Sequence, residues 1–239
     1  ATGIAAVTGT LLGLLQSGDR LLYFMETYSP SRVFADGMLR KFGIQSLRLT
    51  LDDHEGLERE MAVPGTKALL FESITNPVLR AAPLDKIHSL AKKHGVITIL
   101  DNTFAGFQSW PAWPFDLYIH SLTKYANGHG DVMGGAILGS EKLLKEIDEG
   151  LHMLGASLDP HAAFLIQRGM KTYHLRRREQ CANAASLATW LSEHPAIDKV
   201  VYPGLKSHPQ HAWFKEHFAD FGTMLFIYLK DKKRSVEPL

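Results

Sequence analysis

Lys124 stands directly after a short apolar run, Leu117-Tyr118-Ile119, within the segment His120-Ser-Leu-Thr-Lys-Tyr125. A lysine placed after a strand and beside two hydroxyls differs from an ordinary solvated lysine. Withdrawn from water, its amine is more easily kept neutral and nucleophilic, as condensation with a carbonyl requires. The hydroxyls of Ser121 and Thr123 suit a phosphate, and the glycines at 128, 130, 134 and 135 allow close backbone approach. Gly128-x-Gly130 followed by Gly134 matches neither a dinucleotide fingerprint nor a phosphate-binding P-loop. Two further apolar runs also end in polar groups. Glu72-Ser-Ile-Thr-Asn-Pro77 follows Lys67–Phe71, and Asp101-Asn-Thr103 follows Val96–Leu100. Taken singly, each such residue reads as a cap or a turn. In an open α/β sheet ligands bind beyond the carboxyl ends of the strands, so three such endings predict one shared rim.

The elements that must carry this rim are legible as alternating short apolar runs and amphipathic stretches over residues 1 to about 140. A buried helix is predicted from Thr2 to about Gln16, with Gly18 as its stop. Strands are predicted at Leu21–Met25, Leu47–Leu51, Lys67–Glu72, Val96–Leu100 and Leu117–Ile119, the fourth of them buried on both faces. Helices are predicted from Ser31 to Phe42, closed by Gly43, and along the Leu84, Ile87, Leu90, Ala91 stripe, closed by Gly95. The pattern is that of a mostly parallel sheet flanked by helices. Beyond Leu143 the chain turns helical, and Ala162 to Glu193 forms one long periodic stretch interrupted at Gly169. Val200–Tyr202 and Met224–Tyr228 then read as strands of a smaller α+β unit. The expected division is therefore a large domain over 1–160, a connecting long helix over 161–195, and part of a C-terminal domain over 196–239.

Composition narrows the partners. Among 239 residues the formal net charge is +1 and the hydrophobic fraction 45%, enough for one large core and no electrostatic reason to expect nucleic acid or an anionic membrane. The apolar run Ile4–Leu15 is shorter than the about 20 residues that span a bilayer and lacks the flanks of a signal peptide. The single cysteine, Cys181, makes no internal disulfide; it fits a reducing, cytoplasmic setting and reads as a small packing residue. His208, His211 and His217 are expected in a solvated loop, without a metal, because Pro209 breaks their register and no acidic or cysteine partner lies near. The absence of an initiator Met, with the chain starting almost inside a helix, leads us to expect that the start is missing.

The segment Asp116-Leu-Tyr-Ile-His-Ser-Leu-Thr-Lys-Tyr-Ala-Asn-Gly-His-Gly130 resembles the cofactor-lysine signature of the Cys/Met-metabolism family of pyridoxal-phosphate enzymes. Further similarities follow in the family's order: Thr2-Gly-Ile-Ala-Ala6, Gly18-Asp19, Tyr28-x-Pro-Ser31, Glu72-Ser-x-x-Asn-Pro77 and Asp101-Asn-Thr-Phe104. Leu154-Gly-Ala-Ser-Leu-Asp-Pro160, Arg168-Gly-Met-Lys-Thr172 and Tyr202-Pro-Gly-Leu205 continue the series, so the resemblance covers essentially the whole chain.

That resemblance implies the aminotransferase-like fold (fold type I) and pyridoxal 5'-phosphate as cofactor. It implies Lys124 as the Schiff-base lysine and proton-transfer base, and Asp101 as the partner of the pyridinium nitrogen, where the alternative is an exposed loop carboxylate. Tyr28 would stack on the ring and take part in catalysis, where the alternative is a core tyrosine. Gly3 and Ile4 would offer N–H groups to the phosphate at the helix start, with Ser121 and Thr123 completing the cup. Asn76 would approach the ring's phenolic oxygen, where the alternative is a plain turn residue before Pro77.

The implied reaction is cleavage of a C–S bond in cystathionine or a related small sulfur amino acid, through aldimine and quinonoid intermediates. The alternatives are γ-replacement on an activated homoserine, as in cystathionine γ-synthases and O-acylhomoserine sulfhydrylases, and a non-catalytic relative or fragment. Pro30 stands where methionine γ-lyases tend to show a cysteine. The implied assembly is a homotetramer, a dimer of dimers. Members of the family also carry an earlier segment reaching the neighbouring subunit's phosphate and a C-terminal arginine for the substrate carboxylate. Lys233 and Arg234 are not assigned that role, and Val236–Leu239 is only faintly similar to the loop before it. The stretch from Ala105 to Phe115, with Trp110 and Trp113, and Ile74 in place of a common proline depart from the family pattern.

Overall fold

The computed structural model describes residues 1–109 and 114–231; Trp110, Trp113, Lys233, Arg234 and the 236–239 segment lie outside the described residues. A six-stranded sheet forms the centre, in the order β2-β1-β3-β4-β5-β6. Its strands are β1 (Arg20–Phe24), β2 (Gln45–Leu49), β3 (Thr66–Glu72), β4 (Ile97–Asp101), β5 (Leu117–Ser121) and β6 (Gly135–Gly139). The first five are parallel, and β6 joins antiparallel to β5 at the edge. The mostly parallel α/β architecture expected from the sequence is thus found. The antiparallel edge strand β6 was not anticipated, because its Gly135-Ala-Ile-Leu-Gly139 composition reads as a loop.

Both faces of the sheet are covered, which explains the near-continuous apolar strands. Alternate residues feed two cores. Leu22, Phe24, Leu69 and Phe71 point to one, against α3 (His54–Met61) and α4 (Leu84–His94). Leu21, Tyr23, Ala68 and Leu70 point to the other, against α1 (Gly3–Leu14) and α5 (Glu141–Met153). The period of two is the pleat itself.

Helix α1 starts where Thr2 caps it, its side chain accepting from the Ala5 N–H at 3.0 Å. It ends at Leu14, short of the expected Gln16. Helix α4 ends at Gly95, whose φ of 67° is the left-handed conformation that closes a helix with least strain in glycine. The helix expected from Ser31 to Phe42 is instead a short α2 (Ser29–Val33) running into a π-helical stretch, Phe34–Leu39. Helix α3 was not foreseen. Its cap is Asp53, which accepts from the Gly56 N–H at 2.8 Å.

The long helical stretch is corrected to two helices, α6 (Pro160–Met170) and α7 (Tyr173–Ser192). Gly169 lies inside α6, and the break falls at Lys171-Thr172. Beyond them β7 (Ile197–Val201) and β8 (Phe226–Leu229) form an antiparallel pair, with α8 (His211–His217) between them in sequence. The three histidines expected in a solvated loop are packed instead. His208 is buried against Phe214, His211 stacks on Phe221 at 5.0 Å, and His217 lies against Trp213. The aromatic residues Trp213, Phe214 and Phe221 give the imidazoles an apolar surface to cover. Among the described residues no cluster of three or more His, Cys, Asp or Glu groups is placed to hold a metal ion. No helix of the described chain is long and apolar enough to cross a membrane.

Candidate functional site

The carboxyl ends of β3, β4 and β5 open into a cavity of about 650 Å³, within the usual size of a small-molecule site. Gly3, Ile4, Tyr28, Asn76, Asp101, Ser121, Thr123 and Lys124 all line it. Residues spread over more than 120 positions of sequence are therefore brought to one rim by the strand order.

The anion end is built by α1 and the segment after β5. A Cβ placed on Gly3 would come within 2.7 Å of the Ser121 side chain, so only glycine lets the helix start approach so closely. Thr2 takes the Ala5 N–H, while the N–H groups of Gly3 and Ile4 find no acceptor among the described residues. Two orphan donors at a helix N-terminus, with the hydroxyls of Ser121 and Thr123 on the same cavity wall, form a seat for a phosphate. Thr123 is fixed in turn by Gly134, whose N–H donates to its hydroxyl at 3.0 Å.

At the other end the carboxylates of Glu72 and Asp101 sit on adjacent strand termini in register. Burial pushes the Asp101 carboxyl above its ordinary range, against the N–H of Thr103, which donates to Oδ1 at 3.0 Å. Burial first, and the neighbouring Asp101 second, push Glu72 up to about 8. Among the described residues neither carboxylate has an ion-pair partner within 4.0 Å. A cationic N–H donor from a ligand is what this end lacks, and a protonated pyridine nitrogen supplies one.

Tyr28 caps α2 and is 46% exposed, so it is a cavity wall and not the core tyrosine that was the alternative. Asn76 is exposed at the turn before Pro77, across a cis peptide bond. Lys124 lies in the turn three residues past β5, its backbone N–H donating to Ser121 at 3.1 Å. Its side chain is exposed. The withdrawal from water expected for this lysine is not found in the chain alone, because the strand has ended before it and the cavity is open on that side.

Further residues contribute that the sequence reading gave no role. Thr103 joins two strand ends, since its hydroxyl accepts the Ser121 N–H at 2.9 Å while its own N–H holds Asp101. Phe104, Gln180 and Met224 also line the cavity. Gln180, on α7, has a buried Oε1 with no partner. Thr103 and Phe104 were visible as part of the strand-end segment, whereas nothing local marks Gln180 or Met224. Cys181 is half-buried on α7, and burial pushes its thiol up to about 11, so it is a packing residue.

Comparison with known proteins agrees with this geometry. The family model described as Cys/Met metabolism PLP-dependent enzyme matches residues 1–239. The chain is 41% identical over 229 residues to cystathionine gamma-synthase 1 of Arabidopsis thaliana, covering 94% of this chain and 40% of that protein. It is 40% identical over 235 residues to cystathionine beta-lyase of Coxiella burnetii, covering 96% of this chain and 60% of that protein. The chain thus spans between 40% and 60% of the length of these two relatives. Its structure matches that of a putative O-acetylhomoserine (thiol)-lyase from Campylobacter jejuni with a TM-score of 0.92 at 31% identity, over 98% of this chain and 67% of that one. That structure carries N'-pyridoxyl-lysine-5'-monophosphate.

Proposed function

The chain belongs to the Cys/Met metabolism PLP-dependent enzyme family, and from that premise we propose that it cleaves a C–S bond in cystathionine or a related sulfur amino acid, with Lys124 as the cofactor lysine. The observation that carries this reading is the meeting of eight separately read residues on one cavity. When bound, pyridoxal phosphate supplies an electron sink for charge developing at the substrate Cα.

The residues divide that work by position. The N–H groups of Gly3 and Ile4 and the hydroxyls of Ser121 and Thr123 would hold the phosphate. Asp101 would keep a proton on the ring nitrogen, and Tyr28, at the cavity mouth, would cover one face of the ring. Asn76 would hold the phenolic oxygen. The Nζ of Lys124 would anchor the cofactor, then take the proton from the substrate Cα and return it. Gln180 offers an acceptor on the α7 side, where a substrate amine or hydroxyl would meet it.

A second reading, γ-replacement on an activated homoserine, is favoured by the 41% identity to a cystathionine gamma-synthase. Product analysis separates the two. Cleavage of cystathionine, with uptake of water, releases a thiol, ammonia and a keto acid, whereas replacement exchanges the acyloxy group of an acylated homoserine for the sulfur of cysteine and releases the carboxylic acid. The same reading places the working enzyme in the cytoplasm as a homotetramer. The exposed apolar side chains Met153, Leu154, Phe164, Met170 and Trp190 support an assembly. The division into 1–160, 161–195 and 196–239 belongs to this proposal too, supported by two separate sheets with α6 and α7 between them.

A further inference from the structure

Glu72 ends β3 beside Asp101 on β4, and the two are Cα partners in the parallel ladder. Its side chain is 8% exposed and lines the cavity. Oε1 accepts the backbone N–H of Tyr28 at 2.5 Å, across 44 positions of sequence. The backbone of Asn76 lies close enough to this carboxyl to favour its ionised form. One side chain therefore ties the residue assigned to the ring face to the strand end beside the ring-nitrogen partner. We infer that Glu72 is a positioning residue of the cofactor site, its buried carboxyl locking the backbone of Tyr28 to the end of β3. This inference rests on the cofactor reading above and adds a residue to it.

The lock is compatible with a protonated acid, the form that burial and the adjacent Asp101 favour against the pull of the neighbouring N–H groups. Its groups of like charge and its counter-charges are unequal: Asp101 faces it from the next strand, while the positive charge acting on it, Arg32 on α2, has only a weak effect. A second full negative charge beside Asp101, in a site withdrawn from water, is costly. The protonated acid keeps a carbonyl oxygen for the Tyr28 N–H without adding that charge. Glutamine presents the same carbonyl at the same reach, so the inference distinguishes glutamine from alanine.

The test is made on the whole chain with Glu72→Gln and Glu72→Ala, in two arms. In the first, hydrogen exchange of the Tyr28 amide is followed in the cofactor-free protein. Protection should stay near wild type in Glu72→Gln and fall about tenfold or more in Glu72→Ala, as loss of a buried hydrogen-bond acceptor implies. In the second, binding of pyridoxal 5'-phosphate is titrated. Glu72→Gln should lie within about threefold of wild type, and Glu72→Ala should weaken by about tenfold or more. Equal protection of the Tyr28 amide in Glu72→Ala and wild type overturns the lock. Glutamine behaving as badly as alanine in both arms overturns the neutral-acid form of it. A wild-type chain that takes up no pyridoxal phosphate defeats the cofactor reading, while the exchange arm still decides whether Glu72 holds the Tyr28 backbone.

Discussion

The guanidinium of Arg177 lies 4.7 Å above the ring of Tyr125, the residue that follows Lys124. Arg177 is almost wholly buried, and its Nη2 pairs with Asp220 at 2.7 Å. The preceding Arg176 donates to the Tyr125 and Ala126 carbonyls at 3.0 and 3.2 Å. Two consecutive arginines on α7 thus hold the backbone and the ring just past Lys124. Thr223, near β8, completes the link by donating to the Tyr125 hydroxyl at 2.6 Å. The second sheet is tied to Lys124 through these contacts.

The Arg177–Asp220 pair leads to a stability prediction. Burial opposes ionisation of Asp220, but the Arg177 guanidinium outweighs it and holds the carboxyl below its usual range. Removing the arginine alone strands that charge, and Arg177→Ala should cost about 3 kcal/mol. Arg177→Met combined with Asp220→Asn should cost clearly less than the sum of the two single changes. Denaturant unfolding of the four proteins in a double-mutant cycle measures this; strict additivity would show that the pair is not coupled.

The Gly3 contact predicts a defect specific to the phosphate. A methyl group at position 3 would meet Ser121 at 2.7 Å, so Gly3→Ala must push α1 away from the cup. Affinity for pyridoxal phosphate should fall by roughly tenfold or more, the scale of one or two lost hydrogen bonds to a charged group. Affinity for pyridoxal, which lacks the phosphate, should change much less. Equal losses for both ligands would place the phosphate elsewhere.

Between pH 6.5 and 8 the cofactor-free chain should lose stability as pH rises. The Glu72 carboxyl is pushed up to about 8 by burial and by Asp101, so the folded state binds a proton that the unfolded state releases at its ordinary, lower value. Its contribution is complete at low pH and is lost as pH climbs through about 8. His120 works in the opposite sense and at lower pH. Burial depresses it to about 4, so its cost appears as pH falls below its ordinary range. Thermal unfolding against pH should therefore slope downward above pH 6.5, and Glu72→Gln should flatten that slope. An unchanged slope in the variant would assign it to another group.

The fold and the site differ in how far they can be read from residues alone. The strands were legible because burial on both faces forces apolar runs such as Val96–Leu100, and their polar endings marked the rim. Lys124 and Asp101 could be placed on the cavity wall because they follow strand ends, whereas Gly3 was placed there by the resemblance. Strand β6 was not, since an edge strand of Gly, Ala, Ile and Leu needs β5 to define it. The break between α6 and α7 carries no proline, and Gly169, where the sequence reads as interrupted, lies in the last turn of α6, so the true break falls two residues later, at Lys171-Thr172. Gln180, Arg176 and Arg177 read as the polar face of a helix, and only tertiary packing turns that face toward Lys124. The tie from Glu72 to Tyr28 spans 44 positions and leaves no local signal.

The central claim is that Lys124 holds the cofactor, and chemical trapping tests it most directly. The chain is incubated with pyridoxal phosphate, reduced with borohydride, digested and mapped by mass spectrometry. The account predicts one phosphopyridoxyl addition, on the peptide containing Lys124, and none in a folded Lys124→Ala variant. Addition at a different lysine, or no addition to a chain shown to be folded, would contradict it.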